Sequence, residues 1–357
     1  MANRFWVGDS GLTSDTAHWS TSSGGTGGAS VPSSTDDIFI DTNSGLTNGS
    51  YLDFNGNLNC HDFLSTTGIS YILGHTFSGA LKIYGSATFE FGLSTHAGLT
   101  TIIFAATTTS NIVQWNGFTP NVSVGFQGTL TAAWTLLDDM NVTSNINFMG
   151  GIFDANNKNI TITGQFYFYA DTGFSPEVYM GSGTWTSSDI DPFWFDNYSG
   201  QFVIVHQDTA NIRLTNTTNS DMHFTNYIDE GAIQAIPLYD VEFLRGNSTG
   251  KIYIDGEFSY YSFQDLGISA HQLLFAAGSI QTTSHFFVSP NIDIESSSSG
   301  VPWNISCPTG KVILSGVSLK DSHAGGGAFF FAGSYSSNLG GNTGWLFQTS
   351  PFPSFYQ

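Results

Sequence analysis

The sequence predicts an all-β protein built as a right-handed parallel β-helix, with a β-sandwich as the alternative fold. Short runs alternate between apolar and polar residues with a period of two, which is typical of strands. Turns rich in Gly, Asn and Ser separate these runs, and no amphipathic helix is visible between them. Only eight of the 357 residues are Lys or Arg, whereas 41 are Gly, a composition that favours strands and turns over helices.

The strand candidates are short and regularly spaced. Those in the first half of the chain span residues 80–84, 87–91, 99–106, 111–115, 122–126, 133–137, 145–148, 159–163 and 165–169. The pattern loosens between residues 196 and 297, where the candidates are 202–205, 211–214, 241–244 and 251–254. We expect roughly 20–25 residues per coil and about 4.8 Å between rungs, with inward side chains forming ladders.

Three regions follow from this pattern. Residues 1–49 are predicted to form an N-terminal cap or attachment module, in which Trp6 and Trp19 close the mouth of the solenoid. Residues 50–297 form the β-helix body, and residues 298–357 form a C-terminal β cap with an aromatic tail. Because an exposed aromatic tail is adhesive, we expect residues 351–357 to cap the solenoid or to pack against a partner.

Charge and hydropathy exclude two classes of partner. The formal net charge is −20, and the basic residues are scattered along the chain, so we expect no binding to nucleic acid. No run approaches the length of a membrane span, so we expect no membrane insertion. No apolar signal core follows the N-terminus, so we expect synthesis in a cytoplasm without a standard export signal.

The sequence predicts no cofactor and no metal site. Cys60 and Cys307 lie far apart and show no CxxC spacing, so we expect two buried thiols, with a long-range disulfide left open. The nine histidines show no zinc-ligand spacing, and no DxDxDG calcium loop is present. Neither a P-loop nor a GxSxG motif occurs, so no catalytic residue is predicted.

Segments near both ends and in the middle of the chain carry a family likeness. They are Arg4-Phe-Trp-Val-Gly8 with residues 15–20 and 35–41, Gly151-Ile-Phe-Asp-Ala-Asn-Asn157 with residues 180–185, and residues 317–324 with 340–347. In this order they resemble phage virion structural proteins of the tail-fibre or appendage type with a pectin-lyase-like β-helix. The resemblance implies a place on the virion, a homotrimer and contacts with other virion proteins. Residues 196–297 fall outside it.

Paired acidic residues are the strongest chemical feature of the sequence. They occur at Asp36-Asp37, Asp138-Asp139, Asp189 with Asp191, and Asp229-Glu230. We expect most of them to cap backbone amides at turns, which is the usual role of Asp there. The pair at Asp189 and Asp191 is accompanied by tryptophans, whose rings stack on sugars. The predicted glycan contacts are therefore Trp185, Asp189, Asp191 and Trp194.

Three functions are consistent with these features. The preferred one is a non-catalytic tail fibre or spike-type appendage that attaches the virion to a host-surface glycan. The first alternative is a capsid decoration protein that stabilises the head. The second alternative is a glycan depolymerase tailspike, which requires a pair of carboxyl groups in an open groove.

Overall fold

A computed structural model of the chain describes residues 1–229 and 234–348, and it is all-β. Within these residues the helical structure is a single 3₁₀ turn, Thr16–His18. No helix in this part of the chain has the length and apolarity needed to cross a membrane. The prediction of an all-β fold is therefore confirmed.

The described residues form 39 strands. The first 22 are β1 Asn3–Trp6, β2 Gly11–Leu12, β3 Trp19–Ser20, β4 Asp37–Ile40, β5 Tyr51–Asp53, β6 Leu58–Cys60, β7 Phe63–Ser65, β8 Ile72–Leu73, β9 Gly79–Ile83, β10 Ala87–Thr88, β11 Ser94–Thr95, β12 Leu99–Phe104, β13 Asn111–Gln114, β14 Ser123–Gln127, β15 Ala133–Leu136, β16 Met140–Val142, β17 Ile146–Gly150, β18 Ile152–Asp154, β19 Ile160–Ile162, β20 Phe166–Ala170, β21 Glu177–Tyr179 and β22 Thr184–Ser187. The others are β23 Phe193–Asn197, β24 Ile204–His206, β25 Asn211–Leu214, β26 Met222–Ile228, β27 Ile236–Phe243, β28 Ile252–Asp255, β29 Phe258–Asp265, β30 His271–Phe275, β31 Ile280–Val288, β32 Ile292–Ser296, β33 Trp303–Ser306, β34 Lys311–Leu314, β35 Ser318–Leu319, β36 Ser322–Gly325, β37 Phe329–Ala332, β38 Ser337–Asn338 and β39 Trp345–Phe347.

These strands wind into a parallel β-solenoid. The longest sheet contains 13 strands, one from each turn, so the chain makes about 13 turns. The chain divides into two compact units, one of Met1–Thr184 with Tyr198–Ile204 and the other of Trp185–Asn197 with Val205–Gln357. The β-helix prediction is confirmed, and the sandwich alternative is not the fold observed.

In the first unit most strands pair in parallel with their equivalents on neighbouring turns. One sheet runs in the order β21-β18-β15-β13-β10-β7-β4-β1, and another runs β20-β17-β14-β12-β9-β6. Phe126 pairs with Phe148, so one turn here takes 22 residues, within the predicted range. The exception is β3, which pairs antiparallel with β1 and places Trp19 beside Trp6. Both tryptophans are fully buried.

In the second unit the turns are longer at first. The relevant sheets run β23-β26-β28-β30-β32-β35-β38 and β25-β27-β29-β31-β33-β36, and β34, β37 and β39 form a three-stranded sheet. Just before β28, the backbone N–H of Lys251 donates to the Asp221 side chain, which lies 30 residues earlier on the preceding turn. Longer turns account for the looser sequence pattern in the first part of residues 196–297, up to β28; beyond it a turn again takes 21 residues, as from Ile252 to Leu273.

Aromatic ladders fill the interior. In the first unit Phe104, Phe126, Phe148 and Phe168 occupy equivalent positions on successive strands. Their ring centroids are 4.9, 5.7 and 4.9 Å apart, close to the spacing of the strands themselves. Both cysteines are buried free thiols, so the expectation of two thiols rather than a disulfide is confirmed.

Candidate functional site

Trp194 is exceptional among the tryptophans of this chain. Seven of the eight tryptophans are buried, whereas Trp194 is half-buried on the outer face of β23. Its strand neighbours Phe193 and Phe195 point inward and are at most 1% exposed. Since strand side chains alternate between the two faces, the strand that buries these phenylalanines must direct the indole outward. A surface tryptophan of this kind is a feature of binding sites.

The register of the second unit places polar and aromatic residues beside Trp194. Trp194 lies opposite Thr225 on β26, and Thr225 lies opposite Asp255 on β28. His223 lies opposite Tyr253 on the same two strands. We call Asp191, Trp194, His223, Tyr253 and Asp255 the Trp194 surface.

A histidine and a carboxylate are paired on this surface. Nδ1 of His223 lies 2.9 Å from Oδ2 of Asp255, and both side chains are more than one third exposed. The imidazole also stacks on Tyr253, with ring centroids 4.5 Å apart and planes within 2° of parallel. The stack on Tyr253 covers one face of the imidazole, whose side chain is still 40% exposed. Because the pair is exposed, it contributes little to the stability of the fold. Both side chains can be reached by a ligand from solvent.

Asp189 and Asp191 lie at the turn that precedes β23. The backbone N–H of Asp191 donates to Oδ1 of Asp189 at 2.9 Å, so Asp189 caps the turn. Burial raises the pKa of Asp191; the Asp189 and Asp255 carboxylates also raise it, and His223 opposes them. The carboxyl of Asp191 therefore lies within electrostatic reach of the His223–Asp255 pair, as a binding or acid–base group would.

Both acids of the Asp138–Asp139 pair accept backbone N–H groups. Asp138 accepts the backbone N–H groups of Trp115 and Asn116 at 2.8 and 2.6 Å. Asp139 accepts both the backbone N–H and the side-chain amide of Asn159. Glu230 of the fourth pair lies outside the described residues. The interpretation of these acids as structural caps is thus supported for Asp138 and Asp139.

Trp185 requires a correction. The sequence groups it with the glycan contacts, but its side chain is 0% exposed. In β22 the alternation buries Trp185 and Ser187 and directs Thr184 and Thr186 outward. Trp185 is therefore a core residue and cannot contact a ligand on the surface. The structure brings Asp189, Asp191 and Trp194 to one end of β23 without it.

A second aromatic cluster lies on another sheet of the same unit. Tyr239 and Tyr261 stack with centroids 4.5 Å apart and planes within 3° of parallel, and His285 lies 4.9 Å from Tyr261. These rings cover one another's faces, so they present mainly their edges to solvent. Trp194 has no ring stacked on it among the described residues, so its face is better suited to stacking on a ligand.

One group of side chains in the first unit has metal-ligand character. Nδ1 of His61 lies 3.0 Å from Oδ1 of Asp37 and 3.2 Å from Oδ1 of Asp62. Each carboxylate oxygen also accepts a backbone N–H, from Asp62 and Ser86 respectively. Hydrogen bonds within the protein thus account for the whole arrangement. These three residues are the set that could hold a cation in the described chain.

Three further members of the site were not predicted. His223, Tyr253 and Asp255 are far from Asp191 in sequence, and no local motif marks them. His223 and Asp255 are 32 residues apart, and they become neighbours only because one turn of the solenoid here has about that length. That length departs from the regular coil of the first unit, so period-based reasoning does not pair them.

Comparison with protein-family models, curated proteins and solved structures finds no match to this chain. The site is therefore interpreted from its own chemistry. A half-exposed indole can stack on the C–H face of a sugar, and carboxylates can accept hydrogen bonds from hydroxyl groups. The imidazole adds a group that donates or accepts according to its protonation state.

Proposed function

We propose that this protein is a non-catalytic structural component of the outside of a virion, an appendage of the tail-fibre or tailspike type that attaches to a host-surface glycan. The observation that carries the proposal is Trp194, the one tryptophan that is not buried, on the outer face of a parallel β-solenoid. A solenoid presents flat sheet faces along its length, and such faces suit an extended polymer.

The charge of the chain restricts the class of glycan that it can bind. With a formal net charge of −20, the chain repels polyanions, and the Trp194 surface itself contains Asp191 and Asp255. We therefore propose a neutral or amino-sugar glycan in place of an acidic one. Its hydroxyl or ammonium groups would donate to the carboxylates while a sugar ring stacks on the indole.

Binding to immobilised bacterial surface polysaccharides tests the proposal. We expect the wild-type chain to bind neutral or amino-sugar polymers, and Trp194→Ala to weaken that binding at least about 10-fold, a loss of about 1.4 kcal/mol. Tyr335→Ala is the matched control, because Tyr335 is a 96% exposed ring of the same unit outside this surface. Unchanged binding by Trp194→Ala, or preferential binding to acidic polymers, contradicts the proposal.

One observation favours a second candidate, a glycan depolymerase. Burial raises the pKa of Asp191, and neighbouring carboxylates add to the effect; a carboxyl group of this kind can serve as a general acid in glycoside hydrolysis. The assay is the release of new reducing ends from a bound polysaccharide. Release that disappears in Asp191→Asn would favour the depolymerase, whereas binding without release supports the non-catalytic appendage.

A further inference from the structure

The three-stranded sheet of β34, β37 and β39 has an apolar outer face. Ile313, Phe331 and Leu346 lie opposite one another on these strands, and Phe329 lies beside Phe331 on β37. Ile313, Phe329 and Leu346 are 57%, 47% and 55% exposed. We call these four residues the C-terminal apolar face.

The inner face of the same sheet is buried in the core. Val312, Phe330 and Trp345 form the buried rung that matches the exposed one, and each is at most 7% exposed. The three strands are therefore apolar on both faces, a pattern typical of strands covered on both sides. Within the described residues, however, nothing covers the outer face.

Another outer face of the same unit shows what a solvated sheet looks like here. Arg213, Glu242 and Gln264 lie opposite one another on β25, β27 and β29. Arg213 and Glu242 form an ion pair with Nε and Oε2 2.9 Å apart. These three outward positions are polar, and Phe287 is the next residue of the ladder, on β31. The C-terminal apolar face, in contrast, has an apolar residue at the paired position of all three of its strands.

The charge around this face is unlike that of the rest of the chain. Residues 311–348 contain two lysines and one aspartate, in a chain whose formal net charge is −20. The aspartate, Asp321, is only 7% exposed, and its Oδ2 accepts the backbone N–H of Gly300 at 2.8 Å. Copies of so acidic a chain repel one another, and the repulsion is smallest where no carboxylate is exposed.

We propose that the C-terminal apolar face is an interface with a second copy of this chain. Contact there removes several large apolar side chains from water, which is the main source of association free energy. The proposal is independent of glycan binding, because it uses neither Trp194 nor its neighbours.

Light scattering coupled to size-exclusion chromatography tests this interface on the full chain at micromolar concentration. We expect the wild type to be oligomeric and Ile313→Ser/Leu346→Ser to weaken self-association at least about 30-fold, as loss of central interface residues does. Ile268→Ser is the matched control, since Ile268 is 70% exposed in the same unit but lies outside this face. Circular dichroism and the single variant Leu346→Ser separate loss of association from loss of folding.

Each result decides the matter. A monomeric wild type overturns the proposal, as does an oligomer that survives the double variant in folded form. Residues 349–357 are the competing occupant of the face. If the full chain is monomeric and the 1–348 truncation self-associates, those residues cover the face and the proposal is wrong.

Discussion

Arg245 is a buried cation. Its side chain is 1% exposed, and its guanidinium donates only to backbone carbonyl groups at the turns around it. Those carbonyls belong to Asn216, Thr218, Ser220, Gly250 and Lys251. The planar fork of an arginine suits this multiple bonding, and a lysine could not reproduce it. Through these hydrogen bonds Arg245 holds two neighbouring long turns together.

His271 and Asp265 form a buried pair in the same unit. Nε2 of His271 lies 2.8 Å from Oδ2 of Asp265, and Nδ1 lies 2.9 Å from the carbonyl oxygen of Ser269. Both ring nitrogens face acceptors, so the arrangement favours the doubly protonated imidazolium. Burial alone would lower the pKa of His271, but the hydrogen bond to Asp265 and its charge raise the pKa above 6.5.

The raised pKa of His271 determines how the stability of the fold depends on pH. Because the pKa of His271 is higher in the folded chain than in the unfolded chain, its contribution is complete below about pH 6.5 and is lost as pH rises through the folded value. We expect His271→Gln to lower the free energy of unfolding by about 3 kcal/mol at pH 6, since it breaks a buried pair. The deficit should shrink at higher pH.

Urea unfolding at several pH values measures this difference. His223→Gln is the control, because the His223–Asp255 pair is exposed and should contribute at most about 1 kcal/mol. A deficit for His271→Gln that is independent of pH, or that grows as pH rises, would contradict the assignment of a raised pKa.

At the scale of elements, the phenylalanine ladder of the first unit is the main packing device. Phe148 is 1% exposed and stacks between Phe126 and Phe168. We expect Phe148→Ala to lower the free energy of unfolding by about 3–5 kcal/mol, the usual cost of such a cavity. Phe91→Ala should change it by less than about 0.5 kcal/mol, since Phe91 is 82% exposed. Denaturant unfolding of both variants checks the contrast, and equal effects would show that the ladder does not stabilise the unit.

The same comparison shows what the sequence predicts and what it leaves open. Period-two alternation locates many strands, such as β20, and it gives the fold class. It also extends one predicted strand through Phe91, although β10 ends at Thr88. Alternation cannot say which of two aromatic residues points inward when both faces carry rings. Trp185 and Trp194 illustrate this limit, because only the pairing of whole strands decides that the first is buried.

The candidate site depends on contacts that alternation does not encode. Asp189, Asp191 and Trp194 are close in sequence, so local composition is enough to group them. His223 and Asp255 join them through a turn of about 30 residues whose length no short motif sets. Sequence reasoning therefore finds half of the site and misses the half that comes from neighbouring turns.

At the scale of the whole molecule, charge governs behaviour in solution. The formal net charge is −20 at pH 7, and the sequence pI is about 4.3. We expect solubility to be lowest near pH 4.3, where the repulsion between copies vanishes and exposed apolar residues meet. Static light scattering across pH 3.5–8 measures this. A chain that scatters most at neutral pH would show that another force controls its association.

The phenylalanine ladder has one more consequence, for how such a body can change over generations. Phe126 and Phe148 each meet a ring of their own kind above and below, so successive turns offer nearly interchangeable surroundings. Excision or duplication of one full turn would still set a phenyl ring against a phenyl ring. The number of turns in the solenoid can therefore change by recombination, and the core packing stays the same.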